Sequence, residues 1–161
     1  DGDGYSLTLM CPDRNDPTLP QSWRSSAALG GSPGGDDVIP LAGWQSDHGV
    51  VDLLSDLDRD GNPALIEYLS GTDPALPDGS PVTVVVAGAD LRLEVRQRIG
   101  ADEVDLVAER AEDLMTWSSA EVEYWGRENN GDGTATLRFR TPSAGFLSGE
   151  GFLRLSVSEK D

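Results

Sequence analysis

The sequence predicts a mainly β chain: an antiparallel β-sandwich preceded by a short loop-helix unit and a partial N-terminal β segment. Three observations carry that prediction. From residue 82 to the end, apolar and polar residues alternate with a period of two over some six short runs. Residues 56–67 space their carboxylates and a glycine as a tight oxygen-lined loop does, followed by a short helical pattern. Residues 1–37 hold one clear strand among turn-forming residues, too little to close a core alone.

In chain order, Tyr5-Ser6-Leu7-Thr8-Leu9-Met10 reads as a strand leaving a glycine-rich turn. Turn chemistry follows in Pro12, Asp13, Asn15, Asp16, Pro17 and Pro20, and again in Gly30-Gly31-Ser32-Pro33-Gly34-Gly35. Trp23, between them, reads as a packing residue. In residues 38–55, Val50, Val51, Leu53 and Leu54 with Asp47 as N-cap predict a short helix feeding the loop. His48 beside that cap reads as a surface or capping group, since no second histidine exists to form a ligand pair.

The loop itself matches the EF-hand pattern. Asp56, Asp58 and Asp60 occupy positions one, three and five, Gly61 position six, and Glu67 position twelve. A calcium ion takes about 6–8 oxygens, and a tightly turning loop brings alternate side chains onto one point. The predicted metal ligands are the carboxylates of Asp56, Asp58 and Asp60, the backbone carbonyl of Asn62, and both oxygens of Glu67. Pro63 suits a first helical turn and Gly71 a helix stop, which places Glu67 on a helix. The competing reading is a solvated acidic turn. Pro63 at position eight has no N–H for the bridge that pairs two hands, and no second complete loop occurs. Ala64 at position nine leaves a place for water. A lone loop of this kind predicts a structural site, in the range of about 10⁻⁴–10⁻³ M typical of extracellular modules.

Pro77-Asp78-Gly79-Ser80-Pro81 reads as a connector into a new domain. Val82-Thr83-Val84-Val85-Val86 is then a strand. Leu91, Leu93 and Val95 alternate with Arg92, Glu94 and Arg96, and Val104, Leu106 and Ala108 with Glu103, Asp105 and Glu109. Val122 and Tyr124 alternate with Glu121 and Glu123, Leu137 and Phe139 with arginines, and Leu153, Leu155 and Val157 with Arg154 and Ser156. Asn130-Gly131-Asp132-Gly133 is a hairpin turn, because those residues accept positive φ. Such strands with one apolar face each stack as an antiparallel sandwich. The implied divisions are 1–37, 38–76 and 77–161.

Composition narrows the function. The 161 residues carry a formal net charge of −17, from 29 acidic residues against 11 arginines and the single Lys160. No basic face is available for nucleic acid or for an anionic membrane surface. One cysteine, Cys11, forms no internal disulfide, and one histidine leaves no histidine-based zinc site or serine triad to build. No apolar run of about 18 residues predicts a membrane span. The opening on Asp1-Gly2-Asp3-Gly4 reads as the interior of something longer.

Resemblances add to this. Asp3-Gly4-Tyr5-Ser6-Leu7-Thr8-Leu9, Asn15-Asp16, Trp23-Arg24-Ser25-Ser26 and Gly30-Gly31-Ser32-Pro33-Gly34 together resemble the closing portion of a bacterial lamin-tail domain. Cys11 stands where that family more usually has a small or acidic residue. The span Asp56 to Pro74, ending Glu67-Tyr68-Leu69-Ser70-Gly71-Thr72-Asp73-Pro74, resembles a motif of exported bacterial proteins related to thrombospondin type 3 repeats. Glu112-Asp113-Leu114-Met115-Thr116-Trp117 and Phe152-Leu153-Arg154-Leu155 are similar to signatures of β-sandwiches that close such proteins. These resemblances imply an extracellular or cell-surface location, upstream domains of the same polypeptide as partners, and a cell-surface protein or glycan as a further partner. The function they imply is a non-catalytic, calcium-stabilised structural or interaction module. The alternative is a carbohydrate-binding accessory sandwich, with Trp117 and Trp125 as a stacking platform; against it, Trp117 reads first as the closure of one end of the core. A hydrolase using carboxylate pairs such as Glu121 and Glu123 is the weakest reading, because their alternation with core residues turns them to water.

Overall fold

The computed structural model describes residues 4–88, 90–142 and 151–160, so expectations for Asp1, Gly2 and Asp3 lie outside it. The chain is mainly β and antiparallel throughout. The N-terminal part holds β1 (Tyr5–Leu9), a 3-10 turn (Pro20–Ser22) and β2 (Trp23–Leu29), and the middle holds α1 (Leu41–His48) and α2 (Ala64–Ser70). The remainder is β3 (Val82–Ala87), β4 (Asp90–Arg98), β5 (Val104–Ala111), β6 (Glu123–Asn129), β7 (Thr134–Pro142) and β8 (Phe152–Glu159). A four-stranded sheet in the order β3-β4-β7-β6 faces a two-stranded sheet, β5-β8.

Each predicted alternation becomes one of these strands. Leu93, Val95 and Leu137 point inward at 3% exposure or less, with Val104 and Ala108 opposite them in the same core. The intervening residues turn out and pair across strands, as in Arg138 with Glu94 and Glu128, Arg140 with Glu123, and Arg154 with Glu109. Such exposed pairs contribute about 0–1 kcal/mol each, so the buried face, at about 1.5–3 kcal/mol per covered aliphatic side chain, carries the sandwich.

The middle segment packs into the core of the strands that follow. Leu41, Trp44, Val50, Leu53, Ala64, Leu65, Tyr68 and Leu69 belong to one buried cluster with Leu93, Val95, Val104 and Leu137. Tyr68 and Leu69 are fully buried, and the Tyr68 hydroxyl donates to the Ile39 carbonyl at 2.6 Å. Eight of the fourteen buried residues of that cluster lie between Leu41 and Leu69, so the segment around α2 shares its core with the strands that follow. The helix expected after Asp47 is displaced. α1 ends at His48, because Gly49 takes a left-handed φ of 67° there and the last carbonyls are capped by the amides that follow. His48 stacks on Trp44 at 4.7 Å between ring centroids, a packing role within its own helix.

β2 was not legible as a strand, since its buried positions are polar. Ser22, Arg24 and Ser26 are buried in alternation with the half-buried Trp23 and Ser25. Arg24 is the anchor. Its Nε and Nη2 reach the Asp102 carboxylate at 2.7–3.0 Å, and its Nη1 reaches Asp37 at 2.9 Å, all near-fully buried. The β1-β2 hairpin is thus tied to the start of β5 through charge and hydrogen bonds.

Gly100 marks the tightest backbone approach in this junction. Its φ is +96°, its carbonyl accepts from the Ile39 amide at 2.8 Å, and a Cβ there would lie 2.8 Å from the Asp37 carbonyl oxygen. Left-handed backbone costs an L-residue about 1–2 kcal/mol, and the backbone clash adds to it. Gly100→Ala is expected to lower stability by roughly 2–4 kcal/mol in chemical denaturation. A change within about 0.5 kcal/mol would show that the junction tolerates a backbone shift.

Candidate metal centre

The loop between Leu53 and α2 is built by its own acidic side chains. The Asp56 carboxylate accepts from the amides of Arg59 (2.7 Å) and Gly61 (3.0 Å), and Asp58 accepts from Asp60 at 3.1 Å. Asp60 accepts from the Asn62 amide at 2.7 Å. Arg59 and Gly61 both adopt positive φ, 67° and 98°, so the chain coils tightly enough for alternate side chains to converge. The ends are latched to the core, with Ala64 N–H on the Ser55 carbonyl and Leu65 N–H on that of Leu53, at 2.8 and 2.9 Å. These amides follow Pro63 and close the loop where position eight has no donor.

The carboxylates of Asp56, Asp58 and Asp60 lie within 4.8 Å of one another, as the spacing predicted. Glu67 is outside that set but beside it, one turn into α2. It is 0% exposed, and among the described residues neither Oε1 nor Oε2 has a hydrogen-bond partner. Asp58 Oδ2 is likewise buried and unpartnered. Burial, followed by the charges of Asp58, Asp60, Asp78 and Asp56, pushes the Glu67 carboxyl up to about 7. Burial is also the largest reason that Asp58 is raised, with Asp60 and Asp56 adding to it. Asp60 is held low, first by the Asp78 amide and then by that of Asn62. Asn62 is buried, and its side-chain amide donates to Asp60 at 3.1 Å and to Asp78 at 3.4 Å. Its main-chain carbonyl remains the atom of Asn62 that a coordination scheme would use.

Asp78 is the residue that sequence reasoning missed. Its amide donates to Asp60 Oδ2 at 2.8 Å, and its carboxylate accepts from Asn62. It looked like part of a connector, and loop spacing holds no signal for it. The chain returns to the loop only because α2 and the turn after Pro74 fold back.

Other candidate residues are engaged elsewhere. Glu121 pairs with Arg110, and Glu123 pairs with Arg140 at 3.0 Å, which lowers the Glu123 carboxyl. Trp117 is half-buried under Arg154, its guanidinium 4.2 Å from the ring centroid. Trp125, exposed on β6 of the four-stranded sheet, lies under Arg92 at 4.3 Å. Each ring has a cation on a face, and Trp117 lies in the segment between β5 and β6 while Trp125 lies on β6. Among the described residues no helix is long and apolar enough to cross a membrane. Comparison with protein-family models, with curated proteins and with solved structures finds no match for this chain.

Proposed function

We propose that this chain is a non-catalytic, calcium-stabilised structural or interaction module of an exported or cell-surface protein, with calcium held by Asp56, Asp58, Asp60, Asn62 and Glu67. The observation that carries this reading is Glu67: a fully buried carboxylate with neither oxygen hydrogen-bonded among the described residues, beside three converging aspartates. An isolated buried carboxylate is strongly disfavoured, and four acidic neighbours add repulsion; a divalent cation reverses the sign of both terms. The donor set is oxygen only, which suits a hard cation, and the coil of the loop suits the larger and more permissive of the two common ones. Binding draws Glu67 onto the aspartate triplet and fixes the N-terminal turn of α2. Because α2 supplies Tyr68 and Leu69 to the common core, the metal acts on the stability of the whole fold. The resemblance of residues 56–74 to motifs of exported bacterial proteins supports the extracellular setting, where calcium is plentiful.

Calorimetric titration of the chain with calcium at millimolar concentration tests this. One equivalent is expected to bind, with magnesium weaker and with Asp58→Asn abolishing the heat. Absence of a site up to about 10 mM, or binding indifferent to Asp58→Asn, would remove the calcium reading.

A further inference from the structure

A second feature lies far from the acidic loop, in the cleft between the two sheets. The cleft is about 310 Å³ and opens between β5 and β6. Its walls are Val104, Leu106 and Ala108 on one side and Leu137 and Phe139 on the other, with Met10 of the N-terminal hairpin unit across one end. At that end stands Arg127.

A β-bulge puts it there. The β6-β7 register slips between Tyr124 and Gly126, and Gly126 takes a φ of +149°. Regular alternation from Tyr124, which lies opposite Phe139, would turn residue 127 to solvent. The extra residue restores Arg127 to the inner face, opposite Leu137, where the neighbouring positions are apolar. Arg127 is half-buried there, and its guanidinium has no carboxylate partner among the described residues. Nη2 donates to Gln97 Oε1 at 2.8 Å, Nη1 meets only the Met10 sulfur at 3.3 Å, and Nε is buried with no partner. A thioether is a weak acceptor, and Gln97 is itself held by the Ala101 carbonyl at 3.1 Å. Asp102, a carboxylate whose charge reaches Arg127, has both oxygens occupied by Arg24. Burial lowers the affinity of the Arg127 guanidinium for its proton, so an anion brought to it is worth more than one in water.

We propose that this cleft binds a small monocarboxylate with an apolar body, its carboxylate on Arg127 and its hydrocarbon between the inner faces of β5 and β7. The volume corresponds to about ten waters, which sets the ligand at roughly ten non-hydrogen atoms. A few polar groups converging at one end of an otherwise apolar cleft is the usual form of a small-molecule site. This site is independent of the metal centre, and its test is run with calcium and with chelator.

The probe is octanoate, with octanol as its uncharged counterpart, titrated into the whole chain and followed by methyl NMR. Saturable 1:1 shifts are expected at Val104, Leu106 and Leu137, with octanol binding about tenfold weaker or worse. Arg127→Gln should bring octanoate down to the octanol level, while Arg127→Lys retains part of the difference. If Arg127→Gln does not fold, Val122→Phe, at a half-buried position lining the same cleft, should block octanoate in a folded protein. No saturable shift up to about 10 mM, equal affinity for the two probes, or shifts confined to other methyls would overturn the proposal.

Discussion

Glu67→Gln is expected to raise the melting temperature of the calcium-free protein and to abolish the rise that calcium gives the unsubstituted one. Both halves follow from one carboxylate. Glu67 is buried among four acidic neighbours with no hydrogen-bond partner among the described residues, and its carboxyl is pushed up to about 7. For a raised carboxyl the folded state binds the proton more tightly than the unfolded one. Metal-free stability therefore falls as pH rises from the ordinary glutamate range toward 7, and the cost is fully present at pH 8. An amide removes the charge and relieves about 1–2 kcal/mol, less than full neutralisation because its own polar atoms stay unpartnered. At a calcium concentration a hundredfold above Kd the intact site gains about 2.7 kcal/mol. For a chain of this length that is a rise of roughly 5–10 °C. Differential scanning calorimetry of both proteins at pH 8, with chelator and with calcium, gives the four midpoints. A lower midpoint for Glu67→Gln in chelator would show that Glu67 is satisfied in the metal-free protein. A calcium rise that survives the substitution would take Glu67 out of the ligand set.

The same contrast between charge and burial explains what could be read from the chain. Five of the six strands from residue 82 onward were legible because apolar inner positions alternate with polar or charged outer ones, so a period of two survives in the sequence, while β3 was legible as a run of valines. The acidic loop was legible because coordination imposes a spacing that few other needs impose. β2 was not, because Arg24 and Ser26 fill its buried positions and a hydrophobic scan sees neither of them. α1 was misplaced because only Leu41 and Trp44 of its residues are buried, which is too sparse for a helical period, while Val50 and Leu53 downstream are core residues in irregular chain. The division of the strands into sheets of four and two rests on pairings such as β4 with β7 and β5 with β8, and these are long-range choices that no local pattern records. Arg127 shows the reverse case. Its place on the inner face depends on one inserted residue, and strict alternation from Tyr124 sends it to the wrong side.

The largest loss from a single substitution is expected at the junction of hairpin and sandwich. Asp102→Ala should cost about 3–5 kcal/mol, because Arg24 is left buried with a charge that Asp37 alone partly meets. The geometry supports a value at that end of the range. Asp102 is 2% exposed, and it takes three of the contacts of Arg24. Asp37 is also committed to the Ala27 amide and the Ser32 hydroxyl, so it has little room to shift toward the guanidinium. Removing the charge from both sides tells a different story. Arg24→Met with Asp102→Leu keeps apolar volume and leaves no orphaned ion, and desolvation of the native pair offsets much of its Coulombic gain. The double variant is therefore expected to lose less than Asp102→Ala alone, by about 2 kcal/mol or more. Hydrogen exchange separates this from general damage. In Asp102→Ala the amides of β1 and β2 should lose protection well beyond those of β4 and β7, since this buried pair ties the hairpin to the rest beside weaker contacts of Ser25 with Asn129, Met10 with Arg127, Cys11 with the Asp102 carbonyl and Arg14 with the Lys160 carbonyl. Uniform loss across both regions would mean that the hairpin and the sandwich unfold as one unit. A double variant as unstable as the single one would mean that the ion pair itself, and not the orphaned charge, sets the cost.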